Sequence, residues 1–237
     1  MTLMMSRLRA KISGACRIAG WRVNVFARDY RHWHFKPWIL AAAAIVLSAG
    51  VLHAALPADS DTSGRTSFAG QLLIAAPALQ GSPFERTVIL MAQHSHEGAL
   101  GVVINRPLGE RPIAGLLQAF GVDATGITDN VRVFLGGPVS PEIGFVAHSA
   151  DYHLTNTIDI DGKVALTAAP DVLRDIGHGK GPSKILVAFG YAGWGPSQLD
   201  DEIARGDWYN VPEDPALVFD DDRSNVWADA MARRKDH

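Results

Sequence analysis

From Phe68 onward the chain breaks into short apolar runs, rich in β-branched residues and bounded by Pro, Gly or Ser, which is the pattern of strands. Such runs occupy residues 70–76 (GQLLIAA), 86–94 (RTVILMAQH), 98–106 (GALGVVINR), 131–137 (VRVFLGG), 143–148 (IGFVAH), 156–160 (NTIDI), 163–168 (KVALTA) and 184–192 (KILVAFGYA). Helical periodicity is rarer and shorter. Residues 113–121 place Ile113, Leu116, Leu117 and Phe120 on one face, and residues 170–177 repeat this with Val172, Leu173 and Ile176. A third helix is predicted over 196–206, with Pro196 in its first turn, Asp200, Asp201 and Glu202 near its start, and Gly206 as its stop. A fourth runs over 224–234, with Val226, Trp227, Ala230 and Met231 as its apolar side. Strands outnumber helices without a βαβ alternation, which predicts an α+β fold.

Upstream of Phe68 the pattern changes. Residues 38–52 (WILAAAAIVLSAGVL) carry no charge, and the uncharged stretch continues to Ala58. A bilayer-spanning helix needs roughly 20 apolar residues, so 38–58 is long enough to be a transmembrane or signal-anchor helix. Eight cations precede it, Arg7, Arg9, Lys11, Arg17, Arg22, Arg28, Arg31 and Lys36, against the single acid Asp29. Retention of those cations in the cytoplasm would put the following domain outside the inner membrane. A signal peptide cleaved near Ser48-Ala49-Gly50 would export the domain instead, and a misassigned start codon would leave it cytoplasmic. The predicted layout is a basic leader over 1–37, the apolar helix over 38–58, a polar linker over 59–67 and one domain over 68–237.

The charge balance narrows the partners. From Pro37 onward the chain has 14 basic and 24 acidic residues, a formal charge of −10, which disfavours direct binding to a phosphate backbone. The one cysteine, Cys16, lies in the basic leader, so the domain has no intrachain disulfide, zinc thiolate or thiol nucleophile.

Candidate chemistry gathers in three segments. In HSHEGALGVVINRP (94–107), His94 and His96 would share a face if the strand continued through both, and would suit a metal ion with a third ligand; only Glu97 is near. Gly98 and Gly101 permit close backbone approach, Asn105 can close a turn, and Arg106 at a strand end can pair with a local acid or clamp a carboxylate or phosphate. Gly136 and Gly137 in GGPV form either an anion nest or a simple chain reversal. In GYAGWGPSQLDDE, Tyr191 and Trp194 are either an exposed ligand platform or packing beneath the turn. Ser197, His148 and Asp151 make a hydrolytic triad on paper, but the Gly-x-Ser-x-Gly elbow is missing.

Four blocks, FERTVILMAQHSHEGALGVVINRP (84–107), LGGPV (135–139), GFVAH (144–148) and FGYAGWGPSQLDDEI (189–203), resemble the bacterial YqgE/AlgH family over about residues 68–230. The resemblance implies a compact α+β domain with a barrel-like sheet. One branch of that family has been called a transcriptional regulator of exopolysaccharide synthesis, and its members are usually cytosolic. Two departures are visible: Ser197 stands where the family motif has glycine, and the chain ends in MARRKDH in place of Gly-His-Ala. The preferred reading is a non-enzymatic binding or regulatory domain needing no cofactor or metal. It would take an unknown protein or small polar ligand in a groove formed by His94, Asn105, Arg106, Gly136, Gly137, Tyr191 and Trp194. The alternatives are a hydrolase or metal-dependent enzyme built from His94, His96 and His148 and, more weakly, a DNA-binding regulator.

Overall fold

The computed structural model describes residues 67–234. The leader, the apolar segment 38–58 and nearly all of the linker, on which the expected N-terminal helix rests, lie outside the described residues. The domain itself is α+β. Ten strands, β1 (Gln71–Ala75), β2 (Val88–Ser95), β3 (Gly98–Val103), β4 (Pro107–Pro112), β5 (Asn130–Leu135), β6 (Val139–Ser149), β7 (Thr157–Asp159), β8 (Val164–Ala168), β9 (Ile185–Trp194) and β10 (Trp208–Pro212), accompany five short helices. These are α1 (Ile113–Ala119), α2 (Asp171–Gly177), α3 (Gln198–Ala204), α4 (Pro215–Phe219) and α5 (Val226–Ala232).

The strands follow the order β10-β1-β2-β3-β9-β6-β8-β7, and every ladder on this path is antiparallel. On the side of β9 that faces β3, β5 joins in parallel along the N-terminal half (Val133↔Val187), while β3 takes the C-terminal half (Ala99↔Trp194). β4 then pairs with β5. The sheet curls. Leu72 of β1 and Val211 of β10, at one end of the path, share a core cluster with Leu166 of β8 at the other, and Leu217, Val218, Val226 and Ala230 of α4 and α5 complete that cluster.

Period-two alternation explains how one sheet serves three cores. In β9, Leu186 and Ala188 face inward to this cluster, while Val187 and Phe189 face outward to α1 and α2. Gly190, at φ +74°, interrupts the strand, after which Ala192 and Trp194 join Leu73, Ile89, Met91, Leu199 and Trp208 in a third cluster beside α3. Burial on both faces is why these strands read as unbroken apolar runs.

β4, β10 and α4 have no counterpart in the sequence pattern. β4 (PLGERP) is almost wholly exposed, and it carries prolines at both ends and a register shift at Gly109, devices that protect an edge strand. β10 is short and ends in proline. α4 has five residues, started by Asp214, whose side chain accepts from the Ala216 N–H, and by Pro215.

Candidate functional site

The three glycine-punctuated segments do converge, and they do so through their backbones. Val103 N–H donates to Gly136 O at 2.8 Å, Gly136 N–H to Phe189 O at 2.8 Å, and Leu135 N–H to Arg106 O at 2.8 Å. A Cβ on Gly136 would stand 2.3 Å from Gly190 O, and one on Gly137 would stand 2.1 Å from the Tyr191 carbonyl carbon. Gly136 and Gly137 are therefore where the chain crosses β9 at backbone contact. Asn105 works in the same way: its Oδ1 accepts from Val88 N–H and its Nδ2 donates to Arg86 O, both at 2.9 Å, prolonging the β2–β3 ladder by a side-chain amide. Arg106 is exposed, and its Nη2 donates to the Glu85 carbonyl. Tyr191 is half-buried and meets Phe145 edge-on at 6.1 Å.

Trp194 is buried in the third core, edge-on to Trp208 at 6.0 Å. Both indole N–H groups donate to Glu202 Oε2 at 2.8 Å, while Gln198 Nε2 donates to Glu202 Oε1 at 2.9 Å. Glu202, in the second turn of α3, thus supplies a carboxylate that satisfies two buried aromatic donors. His94, at the end of β2, accepts the Phe68 N–H on Nδ1 at 3.2 Å, which leaves the ring hydrogen of the neutral form on Nε2, 3.7 Å from Asp200 Oδ2. His96 lies past the end of β2 in the turn and is exposed.

His148 is fully buried and lies within a single directional chain of hydrogen bonds that ends on the Ser149 carbonyl. Leu154 N–H donates to Thr157 Oγ1, Thr157 to Thr167 Oγ1 at 2.7 Å, Thr167 to His148 Nε2 at 2.8 Å, and His148 Nδ1–H to Ser149 O at 2.9 Å. Burial pushes its pKa down, against the opposing pull of the Ser149 carbonyl, so the neutral ring is the one the chain of bonds requires. Asp151 accepts from the Ser149 hydroxyl at 2.6 Å and from Ser183 N–H at 3.1 Å, and the serine hydroxyl holds its carboxyl below the usual range.

The paper triad does not assemble. His148 pairs with Ile185 at the start of β9, whereas Ser197 lies beyond Trp194 at its far end. The ten residues of β9 span about 30 Å at ~3.3 Å each. Ser197 sits at φ +58°, ψ −1° as the N-cap of α3, and its hydroxyl makes no cap bond. Among the described residues no group of three or more His, Cys, Asp or Glu is placed to hold a metal ion.

A second polar cluster escaped the sequence reading. Glu213, directly after β10, has a side chain 1% exposed and both oxygens without a hydrogen-bond donor, with Lys163 Nζ 3.6 Å from Oε1. Lys163 Nζ also lies 3.4 Å from Asp161 Oδ2 in the β7–β8 turn. Burial, then the adjacent Asp161 carboxylate, push Glu213 up to about 8. Burial also acts upward on Asp161, but the Glu213 carboxyl and the Lys163 and Val164 N–H groups outweigh it and hold that residue low. No sequence signal marks the cluster, because its members come from opposite ends of the sheet path.

The AlgH-like family model matches residues 72–236, nearly the whole of this fold. The chain belongs to the AlgH-like family. The chain is 39% identical over 186 residues to a UPF0301 protein of Afipia carboxidovorans, covering 75% of this chain and 89% of the relative. It is 43% identical over 164 residues to one of Rhodospirillum rubrum, covering 69% and 85%. The solution structure of the AlgH protein of Pseudomonas aeruginosa superposes with a TM-score of 0.62 at 34% identity, covering 72% of this chain and 90% of that one. That neighbour corrects the expected inner-membrane or exported location, since an AlgH protein studied in solution consists almost entirely of the matched domain. The longest helices among the described residues of the AlgH-like domain have seven residues, about 10 Å at 1.5 Å per residue. No helix among the described residues is long and apolar enough to cross a membrane.

Proposed function

We propose that this chain is a binding or regulatory module, not an enzyme, and that it recognises a protein partner or a small polar ligand. The observation that carries the reading is the dispersal of His94, His96 and His148. His94 ties the chain entry to the end of β2, and His148 lies buried beside the start of β9 with both ring nitrogens engaged. A general base needs a nitrogen within reach of the proton it removes, and a metal site needs convergent ligands. Of the residues singled out from sequence, Arg106 is the one suited to contact a partner. It is exposed at a strand end, among the described residues it is engaged through Nη2 on a backbone carbonyl, and its fork fits a carboxylate or phosphate.

The test compares wild-type and Arg106→Ala chains, immobilised and offered cell extract, with retained proteins and small molecules identified by mass spectrometry. Loss of one charge-assisted contact, about 1.5–3 kcal/mol, lowers retention of the true partner by tenfold or more. Turnover of an ester, phosphate or peptide substrate that disappears in both His94→Ala and His148→Ala would overturn the reading.

A further inference from the structure

Glu213 faces an open cavity of about 450 Å³ with an unusual lining. Val211, Pro212 and Pro215 give it apolar walls, while Asp214, held by Arg233, and Lys163 complete its rim. A carboxyl group almost wholly removed from water normally has donors of its own; ionised, Glu213 has none within hydrogen-bonding distance. Protonated, it has a hydrogen to give to Asp161. The charged groups around it are Asp161 and Lys163 from the β7–β8 turn, Asp214 at the start of α4 and Arg233 at the end of α5. Lys163 is 63% exposed, and its ammonium stands at ion-pair distance from both acids without closing on Glu213.

We propose that this cavity binds an alkylammonium group, a small diamine or a lysine side chain, whose N–H donors reach the two Glu213 oxygens that have no donor of their own. The aliphatic part lies along Val211, Pro212 and Pro215, and the ammonium takes the position that Lys163 only approaches. Binding is an exchange: the ammonium enters, Glu213 releases one proton to the buffer, and the charge of the site is conserved. The site shares no residue with the Arg106 surface proposed above, so either can fail alone.

The probe is 1,4-diaminobutane, titrated calorimetrically into the full-length chain, with 1-butanol as the neutral analogue and Ca²⁺ as the rival cation. The expected result is saturable binding that tightens at least tenfold between pH 6 and pH 9. Near pH 7, proton release should be visible as a dependence of the apparent heat on buffer ionisation. Glu213→Gln should lose at least tenfold in affinity. Asp161→Asn provides a second variant if Glu213→Gln fails to fold, and should also weaken binding. Lys163→Met removes the internal competitor and should tighten binding several-fold at pH 9. Absence of saturation at pH 9, affinity independent of pH, equal binding of 1-butanol, or preference for Ca²⁺ would each overturn the proposal.

Discussion

At the scale of single residues, Ser197 and Glu202 show how one turn is both strained and secured. Ser197 holds a left-handed backbone that glycine adopts freely, which accounts for the glycine of the motif it interrupts. Left-handed backbone costs an L-residue roughly 1–2 kcal/mol. Ser197→Gly should recover about 1 kcal/mol and raise the melting temperature by roughly 2–4 °C in a calorimetric scan. Glu202 acts in the opposite sense. Glu202→Ala strands the Trp194 and Trp208 indole N–H groups, a loss of about 3 kcal/mol, read as a fall of roughly 6–12 °C. A melting temperature unchanged by Glu202→Ala would mean that water takes over both donors.

Among the elements, the crossing of the Gly136-Gly137 segment over β9 is the least tolerant of change. Gly136→Ala places a methyl 2.3 Å from Gly190 O and 3.1 Å from both Ala188 and Val102 side chains. Overpacking of this kind typically costs 1–3 kcal/mol, and here it meets backbone that cannot rotate away, so about 3 kcal/mol or more is expected. Gly162→Ala is the control. It sits in a turn at φ +79° with nothing within 4 Å, and should lose only about 1 kcal/mol by urea unfolding. The same crossing marks the limit of what sequence discloses. Strands buried on both faces, such as β1, β2 and β9, announce themselves as continuous apolar runs, and α1, α2, α3 and α5 by their periodicity. β4 is hidden by two prolines and exposure, β10 by Asn210 and Pro212, which leave it no continuous apolar run, and α4 by brevity. Gly136 and Gly137 are recognisable as special, but their purpose depends on where β9 arrives, some fifty residues later in the chain. Trp194 is visible as a large aromatic, yet its partner Trp208 lies in β10, which the pattern does not mark, so the shared carboxylate of Glu202 reads only as one of three acids near a helix start.

For the molecule as a whole, Glu213 after β10 and Lys163 in the β7–β8 turn, 3.6 Å apart, bring together the two ends of the strand path. Folding raises Glu213 from its ordinary 4.5 to about 8. Its contribution to stability is therefore full below about pH 4.5, declines as the pH climbs, and is gone once the pH passes about 8. Glu213→Gln should flatten that decline, so the stability difference between wild type and variant changes across this window and is constant above it. Parallel curves from pH 5 to pH 9 in denaturant titrations would show that Glu213 is charged throughout. The pairing of β10 with β1, Ala75 opposite Trp208, bears also on how the protein is made. The ribosome releases β1 long before β10; at about 5–20 residues per second, the ~130 intervening residues take roughly 7–26 s. Throughout that interval the outer edge of Leu72, Leu73 and Ile74 is an unpaired template. A nascent chain that stalls before Trp208 is thus a ready substrate for chaperones or for aggregation, and the last strand synthesised is the one that makes the first safe.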